Sequence, residues 1–240
     1  MNIDINSDMG EINQLLADGT YEKMMDYVDS INIACGAHAG DEVMMATMVT
    51  MGSSKKIKLG AHPGFRDKDN FGRIDMEIDI NELQDDIRDQ IQLLTDICLE
   101  HDVNIAHVKP HGALYNKAAN DEDISLAIGE AILQVDPSLV AVGLAESKML
   151  SVFEGLGLAT LAEAFVDRLY EPNGTLRDRK FENALISDPL KASNQAKTLL
   201  EGYVRSYDGS RVEIEAQTLC VHSDTTNAIQ IAEAVKNVVQ

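Results

Sequence analysis

The 240-residue chain has no tryptophan, only five prolines and only three cysteines. Cys35, Cys98 and Cys220 are isolated and odd in number, so they fit neither a disulfide framework nor a zinc-site spacing. Positive charge is scarce: 20 Lys and Arg stand against 40 Asp and Glu, a net charge of −20. Nucleic-acid binding needs basic patches that neutralise phosphates, and anionic membrane surfaces need the same, so both classes of partner are excluded. No apolar run reaches transmembrane length. At Met1-Asn2-Ile3-Asp4 no basic segment leads an apolar one, so no signal peptide is expected. No glycine-rich phosphate turn joins a strand to a helix, which excludes ATP binding of the Walker type, and no serine occupies a nucleophile elbow. What remains is a reduced, cytoplasmic, enzyme-sized chain. It is 45% hydrophobic, enough for one sizeable core, and shows no linker, low-complexity tract or fixed-period repeat. A single domain over residues 1–240 is expected.

The pattern alternates strands and helices. Residues 2–7 alternate apolar and polar, with Asp8 continuing the polar phase of Asp4 and Asn6. Residues 21–29 carry a short helical pattern. A strand from Ser30 to Gly36 precedes a helix from Glu42 to about Gly52, which Asp41 can cap. A third strand, Lys56 to Ala61, ends at His62-Pro63-Gly64. Ile80, Leu83, Ile87, Ile91, Leu94 and Cys98 recur at spacings of three and four, predicting a helix over 80–99. Val103 to Ala106 reads as the fourth strand. A helix over about 121–134, a strand from Leu139 to Leu144, a helix from Lys148 to Gly155 and a strand from Leu158 to Phe165 follow. Residues 170–187 are a polar loop and 188–202 a helix. Val212 to Glu215 is a minor strand, and Thr218 to His222 the last main one. Asp224 is placed to cap a final helix ending near Val238. This order calls for parallel strands with crossover helices. Seven or so units match a closed or nearly closed βα barrel, with an open doubly wound sheet as the alternative.

The chain is organised around His107-Val108-Lys109-Pro110-His111-Gly112. In strand phase His107, Lys109 and His111 point one way, Pro110 ends the ladder, and Gly112 turns the chain. Five of the six histidines, His38, His62, His107, His111 and His222, fall at strand ends, whereas His101 reads as surface. Asp4 with Asp8, Glu163 with Asp167, and His222 with Asp224 also share phases. In a barrel, such ends converge on the mouth where barrel enzymes work. Histidines and carboxylates there supply acid and base groups near neutral pH. Lys109 or Arg73 can hold an oxyanion, carboxylate or phosphate. One Asp with two His is a workable ligand set for a divalent metal, and a metal-free hydrogen-bonded cluster explains the same residues. Asp41 and Asp224 also admit a purely capping role.

Several segments carry a resemblance to a known family. They are Asp4 to Glu11, Asn32 to Asp41, Gly60-Ala61-His62-Pro63, Phe71-Gly72-Arg73, His107 to Asn116, Glu163 to Tyr170 and Cys220-Val221-His222-Ser223-Asp224. In order and over nearly the whole chain, they resemble the LamB/YcsF family of 5-oxoprolinase A subunits. The resemblance implies a distorted (β/α)7 barrel, similar to glycoside hydrolase/deacetylase barrels. It implies ATP-dependent opening of 5-oxo-L-proline to L-glutamate, with ATP as co-substrate of a complex with partner subunits B and C. Asn70, Ile74, Asn183 and Ser223 depart from the usual pattern and bear on loop conformation and substrate contacts. On this reading Asp8 or Glu11 acts as base, His111 or His62 as proton shuttle, and Lys109 or Arg73 as carboxylate or oxyanion contact. Asn6, His38, Asp41, Glu163, Asp167, Arg168, His222 and Asp224 are expected to join Arg73 around the substrate. Lys109 and His111 are expected to serve the chemical step rather than folding. Two rival readings are a stand-alone metal-dependent deacetylase or amidohydrolase on the same barrel, and a non-catalytic scaffold. The density of ionisable groups at strand ends argues against the scaffold.

Overall fold

The computed structural model describes residues 3–239. In chain order its elements are β1 (Asp4–Met9), α1 (Asn13–Ala17), α2 (Thr20–Met24), β2 (Ser30–Ala34), α3 (Glu42–Ser54), β3 (Lys58–His62), α4 (Ile80–Glu100), β4 (His107–Val108), α5 (Gly112–Ala118), α6 (Glu122–Val135), β5 (Val140–Leu144), α7 (Lys148–Gly155), β6 (Thr160–Phe165), α8 (Pro189–Leu200), β7 (Tyr203–Arg205), β8 (Arg211–Glu213), β9 (Thr218–Cys220) and α9 (Ala228–Val239). Seven parallel strands close into a barrel in the order β1-β2-β3-β4-β5-β6-β9, with β1 pairing β9. The open-sheet alternative is thereby set aside. β7 and β8 form a separate antiparallel hairpin between α8 and the last barrel strand. No helix among the described residues is long and apolar enough to cross a membrane.

Helix starts follow local chemistry. Asp41, Asp79, Asp121 and Asp188 each accept hydrogen bonds from the first free backbone N–H groups of α3, α4, α6 and α8, and Pro189 occupies the first turn of α8. Asp224 does not cap α9. That helix begins later, at Ala228, and the Asp224 carboxylate pairs with Arg73 instead. The fourth strand also lies later than its apolar run. Asp102 is left-handed (φ 58°) and Val103 N–H bonds back to the Cys98 carbonyl, so Val103 belongs to the turn that ends α4. The ladder then forms at His107–Val108.

Barrel interiors of this class are usually packed with branched apolar side chains. Here the pattern is inverted. Ile5, Met9, Ile31, Ile33, Val108, Ala164 and Leu219 alternate away from the polar positions and join the hydrophobic core. The polar phase faces the interior, where side chains from non-adjacent strands meet. Asn6 on β1 donates to Glu163 on β6 (2.9 Å), and His107 on β4 donates to Asn32 on β2 (2.7 Å). The latter bond passes across β3, which is possible because residue 60 is glycine: a Cβ there would lie 2.2 Å from the His107 ring. Burial pushes His107 down to about 4, so the ring stays neutral.

Gly60→Ala is therefore expected to destabilise the chain by about 1–3 kcal/mol through overpacking. The same change should cost measurably less in a His107→Ala background. Denaturant melts of the four proteins check this, and equal costs in both backgrounds would contradict the packing argument.

Candidate active site

The floor of the barrel mouth is a buried ammonium. Lys109, 2% exposed, directs its Nζ at Glu163 Oε1 (2.8 Å), Asp8 Oδ1 (2.9 Å), Cys220 Sγ (3.2 Å) and Asn6 Oδ1 (3.3 Å). Burial alone would lower the lysine, but the Asp8 and Glu163 carboxylates outweigh it and raise it well above its usual value. Burial would likewise raise Asp8, yet His62 and Lys109 hold its carboxyl well below the usual range. Asp8 is thus a fixed anion. Its Oδ1 accepts from Lys109 and from Asn32 Nδ2 (2.8 Å), while Oδ2 faces His62 Nε2 (3.5 Å) and His222 Nε2 (4.0 Å). Glu163 lies beneath and accepts the Tyr115 hydroxyl through Oε2 (2.8 Å).

A histidine cluster stands on one wall. His62 Nδ1 donates to the Lys109 carbonyl (2.6 Å), and His111 Nε2 donates to the Phe71 carbonyl (2.9 Å). Their other nitrogens approach each other at 3.0 Å. Glu11 Oε1 lies 3.1 Å from His38 Nε2, 3.2 Å from His111 Nδ1 and 3.8 Å from His62 Nε2. Tyr21 positions Glu11, its hydroxyl accepting the N–H groups of Glu11 and Ile12. Burial pushes His38 down to about 3 and also lowers His111, whereas Asp8 and Glu11 outweigh burial and raise His62. The Phe71-Gly72 turn closes over these rings in left-handed geometry (φ 58° and 62°), and a Cβ on Gly72 would fall 2.7 Å from that of His38.

The opposite wall holds a dyad. His222 Nδ1 donates to Asp167 (2.9 Å), which is fully buried and also accepts the His222 N–H and the Thr225 hydroxyl. The ring stacks on Phe165, with centroids 5.4 Å apart. Above, Arg73 pairs with Asp224 (2.5 Å), bridging the loop after β3 to the loop after β9. Arg168 is buried, donates through Nη2 to the Arg177 carbonyl, and leaves its Nε without a protein partner among the described residues. Burial and the neighbouring Arg179 push its guanidinium down to about 10.

The resulting cavity, about 660 Å³, is lined by Asp8, Glu11, His62, Lys109, His111, His222, Arg73, Arg168 and Arg179, among others. Other residues expected around a substrate lie elsewhere. Asn6, Glu163 and Asp167 sit behind the surface as supports for Lys109 and His222. His38 is stacked behind His111, Asp224 is tied to Arg73 at the rim, and exposed Asp41 caps α3. Lys109 is a structural cation as much as a site group, contrary to the expectation that it serves chemistry alone. The sequence pattern does not single out Asn32, Tyr115, Thr225 or Cys220, which all join the network. Cys220 shares the inward phase of His222, a signal available from the strand pattern, but the partner that gives it meaning comes from the end of β4.

A closed, seven-stranded parallel barrel with an ionisable cluster in its mouth defines a TIM-like barrel with an enzyme-type site. Within that class the chain belongs to the LamB/YcsF family, whose model matches residues 3–240. It is 43% identical over 232 residues to the A subunit of the 5-oxoprolinase of Halalkalibacterium halodurans, covering 96% of this chain and 90% of that one. It is 41% identical over 235 residues to the corresponding 5-oxoprolinase chain of Bacillus subtilis, covering 98% and 91%. A lactam utilization protein from Thermus thermophilus superposes with a TM-score of 0.90 at 36% identity, covering 99% and 96%. A beta-1,4-mannanase shares the fold alone, with a TM-score of 0.55 at 9% identity over 99% of each chain.

Replacing Lys109 by methionine leaves Asp8 and Glu163 buried together without their cation. The expected loss is about 3–5 kcal/mol, a fall in Tm on the order of 6–20 °C. Adding Glu163→Gln should recover part of it. Thermal melts decide, and a Lys109→Met chain as stable as the parent would overturn the structural role.

Proposed function

We propose that this chain is the hydrolytic subunit of an ATP-dependent 5-oxoprolinase. It opens 5-oxo-L-proline to L-glutamate together with partner subunits B and C. The observation that carries the reading is the His222–Asp167 dyad, whose Nε2 lies 4.0 Å from Asp8 Oδ2 at a cavity that Arg168 also lines. The names of the relatives support the substrate. A lactam is a resonance-stabilised amide, so opening it requires a positioned water, stabilisation of the carbonyl oxygen and a proton for the leaving nitrogen.

The residues supply the first and the third of these. Asp167 holds the proton of His222 on Nδ1, which leaves Nε2 as the acceptor toward the cavity. A water between Asp8 Oδ2 and His222 Nε2 is oriented by the carboxylate and loses its proton to the imidazole as its oxygen attacks the carbonyl carbon. When the tetrahedral intermediate collapses, the C–N bond breaks and the imidazolium returns that proton to the ring nitrogen, which becomes the amine of glutamate. Arg168, with Arg179 beside it, receives the substrate carboxylate, whose negative charge offsets the mutual repulsion of the two guanidiniums. ATP is consumed before this step, on the partner subunits, in activating the lactam carbonyl for attack. This chain has no Walker-type phosphate turn, so nucleotide binding falls to the partners.

The test is 5-oxoproline-dependent glutamate release with the chain alone and with the partner subunits. We expect release and ATP turnover only in the complex. Robust ATP hydrolysis by the isolated chain would sink the division of labour, and cleavage of amides without partners would favour the stand-alone amidohydrolase. Within the complex, His222→Gln should lower kcat about 10²–10⁴-fold with little change in KM. Arg168→Ala should chiefly raise KM for 5-oxoproline. A His222→Gln complex of normal activity would refute the assignment of the proton carrier.

A further inference from the structure

We propose that Glu11, His62 and His111 form a binding site for one divalent transition-metal ion, with His38 positioning Glu11. The starting observation is the convergence of one buried carboxylate and three imidazoles. Glu11 has a side chain only 4% exposed, and its partners within 4.0 Å among the described residues are three imidazoles, with no lysine or arginine. A buried carboxylate in such surroundings is stabilised by a cation among the imidazoles, either a proton on His62 or a metal ion.

The hydrogen-bond partners decide where the electron pairs point. A backbone carbonyl can only accept, so His62 carries its proton on Nδ1, toward Lys109, and His111 carries its proton on Nε2, toward Phe71. In the neutral rings, His62 Nε2 and His111 Nδ1 are both bare acceptors. They nonetheless face each other at 3.0 Å and converge on Glu11 Oε1 at 3.8 and 3.2 Å. Three electron-pair donors around one point repel unless a cation stands among them. A single proton on His62 bridges one pair, whereas a metal ion satisfies all three together. For metal–ligand bonds of about 2.1 Å, neighbouring ligand atoms are about 3.0 Å apart in an octahedron and about 3.4 Å in a tetrahedron, which the 3.0, 3.2 and 3.8 Å edges bracket.

The surroundings are built as metal sites are. Ligating histidines usually donate their other ring N–H to a carbonyl or carboxylate, which fixes tautomer and orientation, and both rings here do so. His38 plays a different part: its Nε2 faces Glu11 at 3.1 Å, its ring stacks on His111 with centroids 3.7 Å apart, and its buried Nδ1 has no partner among the described residues. Gly64 and Gly72 make room for it, since a Cβ on either would lie within 2.8 Å of His38. Two nitrogens and one carboxylate favour zinc, cobalt, iron or manganese over magnesium or calcium, and leave positions open toward the cavity. The neighbouring group of Asp8, Cys220 and His222 is not equivalent. There the Lys109 ammonium already lies 2.9 Å from Asp8 and 3.2 Å from Cys220, and burial keeps the thiol protonated. The site stands on geometry alone; only the ion's use, polarising the amide carbonyl, rests on the hydrolytic reading.

The experiment is titration of the chelator-stripped full chain with Co2+, followed by its visible absorption, and with Zn2+, followed by calorimetry. We expect one saturable ion per chain, a rise in Tm with Zn2+, and no displacement by Mg2+. Glu11→Gln, nearly isosteric, should weaken binding at least about a hundredfold, and His38→Asn about 10–100-fold. Cys220→Ser combined with His222→Gln should bind as the parent does. Each variant is first shown to melt cooperatively, and His111→Ala is read only if it does. Absence of saturable binding in the parent would overturn the site. So would unchanged affinity in Glu11→Gln, or loss of binding in the Cys220/His222 variant. No lactam enters these measurements, so a chain that binds the ion yet opens no 5-oxoproline refutes the substrate and not the site.

Discussion

The ammonium of Lys109 is the interaction on which the rest depends. Transferring a lysine from water to a protein interior costs several kcal/mol, and this one is tolerated because two carboxylates, an amide oxygen and a thiol surround it. Asp8, Glu163 and Lys109 come from β1, β6 and the end of β4. None can be placed until the barrel closes, and once it has closed none can be removed alone without exposing the others to an apolar surrounding. The charge that stabilises the mouth is also the charge that keeps Asp8 ionised.

The inverted interior follows from this. A seven-stranded barrel has to be filled, and filling it with Asn, His, Glu and Lys requires that each polar group find a partner. Asn32 shows how: its amide donates to both Asn6 and Asp8 while its oxygen accepts from His107. Such a chain of hydrogen bonds fixes side-chain orientations more narrowly than apolar packing does. The mouth above it inherits that rigidity, so Asp8 Oδ2 and His222 Nε2 meet the cavity already oriented. Catalysis benefits when dipoles and charges need no reorganisation during the reaction.

The two walls of the cavity carry two differently arranged clusters. On one side, Asp167 is spent on orienting His222, leaving a single nitrogen free for proton transfer. On the other, Glu11, His62 and His111 turn their electron pairs toward one another, and the two imidazoles turn their protons outward to backbone carbonyls. Lys109 stands between them and neutralises only the Asp8 side. On the reading proposed above, this asymmetry gives two neighbouring clusters with similar residue types different purposes.

Much of the fold was readable along the chain because it is written in local periodicities. The three-and-four spacing of α4, the aspartate before α3 and the alternation in β1 depend on near neighbours and on the geometry of helix and strand. Of the strand-end histidines, His62, His111 and His222 line the cavity, whereas His107 lies inside the barrel and His38 behind His111. Closure of the ladder was not local: His107–Val108 is too short to be seen without β3 and β5 beside it, and the hairpin of β7 and β8 has no strong alternation. The roles within the mouth were set by contacts between residues far apart in sequence. Asp224 reads as a cap until Arg73, 151 positions away, is seen to hold it. Cys220 reads as an isolated thiol until Lys109 reaches it. Residue type and period thus determined which elements form and which polar groups point into the barrel end. Only the closed barrel decided which of them touch, because hydrogen bonds and charges act over a few ångströms in space and take no account of distance along the chain.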